Sequence, residues 1–216
     1  NDFISKIEYA DWPFFKPRSI SPRECELRDD MANFSSRAYR QRLLFSGSAF
    51  LSSRIKGDDF LITPANFEIM NLAGADVVRM KGGAAEAGKT PSAATAFCRK
   101  LYQKQEWINA IIMTRPPNAM SFAVTGTYMD SRTIPESYIM LRDLVMVKSE
   151  EYLCDPESVI AQISPANPVV IIENCGVLTC GKSILEAFDR LEVAEFTAKC
   201  ILLASRIGKL NPISQQ

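Results

Sequence analysis

The 216-residue sequence contains no histidine. Histidine is the commonest zinc ligand and the usual general acid or base near neutral pH, so both roles lose their first candidate everywhere in the chain. No apolar run is long enough to span a bilayer, and the first residues lack the basic-then-apolar layout of a signal peptide. None of the six cysteines, at positions 25, 98, 154, 175, 180 and 200, forms a C-x-x-C pair, so the usual zinc and redox spacings are missing. Several lie in apolar surroundings, where a reduced thiol behaves as a small hydrophobe, and a cytoplasmic setting is the expectation. Net charge is absent as well. Lysine plus arginine and aspartate plus glutamate number 25 each, so no overall field draws nucleic acid or an anionic membrane, and neither is expected as a partner. Dinucleotide-binding and Walker-type glycine loops are missing, which leaves Lys81-Gly82-Gly83 as a turn.

What is present is an ordinary globular composition, 47% apolar and 23% charged, with enough chain for one domain and a sizeable core. Residues 1–30 hold Pro13, Pro17 and Pro22 among Tyr9, Trp12, Phe14 and Phe15. Such proline density argues against a long helix, and the aromatics need a surface to cover, so this stretch is expected as an arm laid on the body or on a neighbouring subunit. A single domain over 31–210 and a short tail at 211–216 complete the division. Met31–Phe45 is expected as a helix ended by Gly47, and Phe60–Thr63 and Val77–Met80 as short strands. Thr90-Pro91-Ser92 predicts a helix start, with the helix running to about Gln105. Ala110–Thr114 predicts a buried strand stopped by Pro116 and Pro117, which open a short helix. Ile134–Val147 is expected to be extended, and Pro156 to start another short helix at Asp155–Gln162.

The stretch that dominates the C-terminal half is VVIIENCGVLTCGKS, residues 169–183. A β-branched apolar run, the polar tripeptide Glu173-Asn174-Cys175, a glycine and a second apolar run predict a strand, a turn and a strand. Ser183 with Glu186 three residues later then forms a capping box for a long amphipathic helix ended near Gly208. Alternation of strands and helices with a strand pair near the end indicates an α/β domain with a mixed, mostly antiparallel central sheet.

Five blocks, SSRIKGDDFLITPANFEIM, KTPSAATAFCRKLYQ, NAIIMTRPPNAMSFAVTG, RTIPESYIML and VVIIENCGVLTCGKSILEAFDRLEVAEF, resemble in order and spacing the class II aldolase/adducin family over roughly residues 35–205. The resemblance implies a three-layer α/β/α sandwich and a homo-oligomer, the ring tetramer being usual in the family. It also implies cleavage or epimerisation of small sugar phosphates with a divalent metal, usually zinc. The metal-binding histidines of catalytic members fall on Met113, Arg115 and Cys175, and the acid–base carboxylate falls in Pro91-Ser92-Ala93-Ala94, where no acid stands. Places that face the phosphate hold Ala49, Phe50, Ala65, Asn66, Ser92 and Ala93. The expectation is therefore no metal and no other cofactor, in a cleft rebuilt from Ser92, Asn66, Arg115, Glu173, Asn174 and Cys175, with Cys98 nearby. Two functions remain open at this point. One is a family member kept for binding a small sugar-like or anionic ligand, or for assembly. The other is a lyase or epimerase without histidine, in which Arg115 stabilises an oxyanion and Glu173 or Cys175 moves the proton.

Overall fold

The computed structural model describes residues 11–45 and 49–214. Its centre is a nine-stranded mixed sheet. In chain order the strands are β1 (Phe14–Phe15), β2 (Phe50–Lys56), β3 (Asp59–Ile62), β4 (Val78–Lys81), β5 (Ala84–Glu86), β6 (Ala110–Thr114), β7 (Val145–Val147), β8 (Val169–Ile172) and β9 (Gly176–Gly181). They lie side by side as β1-β5-β4-β3-β2-β6-β9-β8-β7. Pairing is antiparallel except at the two edges, where β1 runs parallel to β5 and β7 parallel to β8.

Helices cover both faces. One layer holds α1 (Pro22–Arg40), α3 (Pro117–Thr125), α4 (Pro135–Leu141) and α7 (Ile184–Ala204), and the other holds α2 (Thr95–Lys104), α5 (Ser149–Cys154) and α6 (Pro156–Gln162). Strand alternation divides the core accordingly. Ala110 and Ile112 of β6 join Leu27, Met31, Phe122 and Phe188 on the first face, while Ile111 and Met113 join Phe97, Cys98, Leu101 and Tyr102 on the second. A strand buried on both faces has no polar side, which is why Ala110–Thr114 and Val169–Ile172 read as continuous apolar runs.

Several elements depart from the sequence expectations. Helix α1 starts at Pro22 rather than Met31, with Ser21 Oγ accepting the Glu24 N–H, so it runs straight through the division at residue 30. Proline at a first helical turn has no N–H to lose there, so Pro22 opens the helix instead of excluding it. Gly47, expected to end this helix, and Tyr9 of the arm lie outside the described residues. Helix α2 begins at Thr95 rather than near Ser92, because Pro91 is held extended in a bridge with Pro64. The segment expected to be extended from Ile134 instead opens with α4, again with proline at its first turn, and only Val145–Val147 is strand. Strand Ala110–Thr114, the Pro117 helix, the Asp155-capped helix and the Ser183-capped helix stand as expected.

Candidate functional site

The strand directions bring six candidate residues to one end of the sheet. Phe50 at the start of β2 pairs with Met113 near the end of β6, and Val177 at the start of β9 pairs with Thr114. Thr63 leaves β3 at that same end. From it the chain enters the Pro64–Asn66 turn, and Thr63 O accepts the N–H of Ser92 at 3.1 Å. The turn between β8 and β9 supplies Glu173, Asn174 and Cys175.

Within this end the contacts form two groups. In the first, Arg115 Nε donates to the carbonyl of Cys175 at 2.7 Å, joining the exit of β6 to the β8–β9 turn. Asn174 occupies the left-handed region, at φ 55°, which asparagine tolerates better than most residues. Its N–H donates to Ala123 O of α3 at 3.1 Å, and the Glu173 N–H donates to Val147 O of β7 at 2.9 Å. The Glu173 carboxyl stands over Gly126, the left-handed residue that ends α3. Gly176 permits the close approach of the two strands, since a Cβ there would lie 2.7 Å from the Thr114 carbonyl.

Cys175 is buried, and its thiol is pushed up from the ordinary range by that burial, against the opposing pull of the Arg115 guanidinium. At neutral pH it therefore keeps its proton. Met113, Cys98 and Phe50 share its apolar cluster. Tyr152 of α5 packs edge-on against Phe97, at 5.0 Å between ring centroids. Its hydroxyl is raised by burial and then by the nearby Cys98 and Cys175. Sequence reasoning missed Tyr152 because nothing in a six-residue helix without a side-chain cap marks which residue packs toward Phe97 and Cys98.

The second group lies beside the first. Asn66 lines an open cavity of about 700 Å³ with Pro64, Phe67, Asp76, Lys89 and Thr90, and none of Arg115, Glu173, Asn174 or Cys175 lines that cavity. Ser92 is occupied locally: its Oγ accepts the Ala94 N–H at 3.3 Å and its carbonyl accepts the Thr95 N–H and hydroxyl, at 3.0 and 2.6 Å. A second missed residue is Glu195 of α7. Its carboxylate accepts from the backbone N–H groups of Asn118 and Ala119, at 3.0 and 2.9 Å, and so caps α3 immediately after Arg115. Among the described residues no three cysteine, aspartate or glutamate side chains converge as a metal-binding group.

A three-layer sandwich of this strand order defines a class that comparison with known proteins makes specific. Residues 29–202 match the model of the Class II Aldolase and Adducin N-terminal domain, and the chain belongs to that family. An L-fuculose phosphate aldolase of Methanococcus maripaludis strain C5 is 28% identical over 111 residues, which is 51% of this chain and 60% of the relative's length. The counterpart from strain S2 is 26% identical over 145 residues, covering 66% and 78%. Among solved structures, an aldolase II superfamily protein from Pseudomonas syringae superposes with a TM-score of 0.78 at 18% identity, over 91% of this chain and 83% of that one. The L-fuculose 1-phosphate aldolase of Glaciozyma antarctica gives 0.76 at 16% identity, over 97% and 83%. Identities this low establish the shared fold. No helix among the described residues is long and apolar enough to cross a membrane.

Proposed function

We propose that this chain uses the class II aldolase scaffold to bind a small anionic, sugar-like ligand at the strand ends around Arg115, without the zinc-dependent lyase chemistry of the family's catalytic members. The observation that carries the reading is Arg115 pinned to Cys175 by the 2.7 Å bond. Two of the three positions that the resemblance assigns to metal ligands thus hold a guanidinium and a thiol beside it, and the third holds the thioether of Met113. This donor set does not fit zinc. A divalent cation would be placed against a permanent positive charge, and its thiolate would have to form from a thiol that burial holds protonated. The same guanidinium charge suits an anion, and Glu173 and Asn174 stand on the turn to which Arg115 is bonded, while Asn66 lines the neighbouring cavity.

The test uses the purified full chain. Metal analysis is expected to show far less than one zinc per chain, and L-fuculose 1-phosphate, the substrate named for its relatives, is expected to bind without cleavage. Arg115→Ala is expected to weaken that binding by about tenfold, the loss of one charge-assisted contact. About one zinc per chain together with cleavage abolished by a chelator would overturn the proposal.

A further inference from the structure

Where β6 gives way to α3, the chain has little freedom. Arg115 precedes a proline, which keeps it out of the helical region, and the two prolines that follow have φ fixed by their rings. Pro116 lies at φ −66° and ψ 132°. Thr114, on the other side, is paired with Val177 in the sheet. The backbone of Arg115 is therefore set by the strand before it and by the seat of α3 after it.

Helix α3 has no local device to fix that seat. Its N-cap residue is Pro116, which makes no side-chain cap, and Pro117 at the first helical position has no N–H. The Met120 N–H goes to Pro116 O at 2.9 Å. That leaves the N–H groups of Asn118 and Ala119, and Glu195 of α7 takes both, at 3.0 and 2.9 Å. Asn118 Nδ2 donates to the same carboxylate at 2.7 Å. A single side chain, 77 residues further along the chain, thus accepts three hydrogen bonds at the helix end that most favours a negative charge. Its own place is firm, since Ala194 and Ala198 beside it on α7 are fully buried in the core. Further along, α3 reaches the β8–β9 turn, where Ala123 O accepts the Asn174 N–H.

We infer that Glu195 is a positioning residue for Arg115. By fixing the first turn of α3 it holds the stiff Arg115-Pro116-Pro117 link, and with it the guanidinium on the carbonyl of Cys175. Its consequence for a ligand rests on the binding proposal above, whereas its hold on Arg115 does not. A carboxylate that served only the helix end would leave the Arg115–Cys175 bond unchanged when removed.

Hydrogen exchange at Arg115 Nε, followed by NMR on the full chain without ligand and assigned by loss of the signal in Arg115→Lys, tests this. Glu195→Ala is expected to speed that exchange by about tenfold, through easier local opening. The Nε–H of Arg28, bonded to Glu24 at 2.9 Å on α1, is expected to keep its wild-type rate in the same spectrum. Glu195→Gln retains one acceptor oxygen and is expected to give a smaller rise, about threefold. In titrations with L-fuculose 1-phosphate, Glu195→Ala is expected to weaken binding by about as much as Arg115→Ala. An Arg115 Nε–H rate unchanged in both variants, or an equal rise at Arg28, would overturn the inference. Failure of the wild type to bind the sugar phosphate would overturn the binding proposal instead, with the exchange rates still deciding the role of Glu195.

Discussion

Two regions of this molecule use arginines to join separate elements, one buried and one half-buried, and they do so differently. Where α1 meets β3, β4 and β5, Arg28 and Arg79 share the fully buried Glu24. Arg28 also bonds Glu86 at 2.6 Å, Arg79 also pairs with Asp59, and Lys89 reaches Glu86 at 2.8 Å. Every charge in that cluster meets an opposite charge. At the sheet end Arg115 donates to the main-chain carbonyl of Cys175, whose thiol burial pushes up, and the Glu173 carboxyl stands over Gly126. The first arrangement fixes a helix to a sheet. The second ties the exit of β6 to the turn between β8 and β9.

That contrast can be broken most forcefully at Glu24. Glu24→Ala leaves two arginines facing one another in the interior and is expected to cost about 3–5 kcal/mol, measured by urea unfolding; Arg115→Ala should cost far less, and equal losses would erase the distinction. A smaller effect is expected from Gly176→Ala, whose Cβ would meet the Thr114 carbonyl at 2.7 Å and Met113 at 3.2 Å. Backbone on one side leaves little room to yield, so about 1–3 kcal/mol should be lost in the same assay, with the Arg115–Cys175 geometry displaced and ligand affinity falling alongside. A loss of stability without any change in binding would separate the turn from the cleft.

The smallest effect is that of acid. Burial raises the Glu86 carboxyl, but the bonds from Lys89 and Arg28 outweigh it and hold the group below the ordinary carboxylate range. A depressed folded-state value contributes stability that is complete above the unfolded value, near pH 4.3, and is lost as pH falls through the lower folded one. Unfolding midpoints followed from pH 5 to pH 3 should therefore decline, and Glu86→Gln should flatten that part of the decline. An identical acid slope in the variant would show that the cluster does not govern it.

The sequence revealed the buried centre better than the periphery, for identifiable reasons. Strands β6 and β8 are covered on both faces, so burial writes itself as unbroken apolar runs, and Ser183 with Glu186 marks α7 by a local hydrogen bond whose partners are three residues apart. Strand β2 was not anticipated, since Ser52 and Ser53 interrupt its apolar pattern; Ser52 is buried because its hydroxyl reaches Leu61 O and receives the hydroxyl of Tyr102, fifty residues away. At the site, the pairing of Arg115 with the β8–β9 turn followed from position within the resembling blocks. Separation of Asn66 into a neighbouring cavity, the approach of Tyr152 and the capping role of Glu195 did not, because each depends on a contact between distant segments that no local pattern records.

The strand order has a consequence for how the chain is made. Strand β6 lies between β2 and β9, and the pairing of Ile112 with Thr179 spans 67 residues. During synthesis, the middle of the sheet therefore stays half-formed until nearly the whole domain has left the ribosome, and α3 waits still longer for the Glu195 carboxylate that caps it. Closures over such distances make for slow folding, and the late segments decide it. Truncation within the last helix would then be felt first at the centre of the molecule rather than at its end.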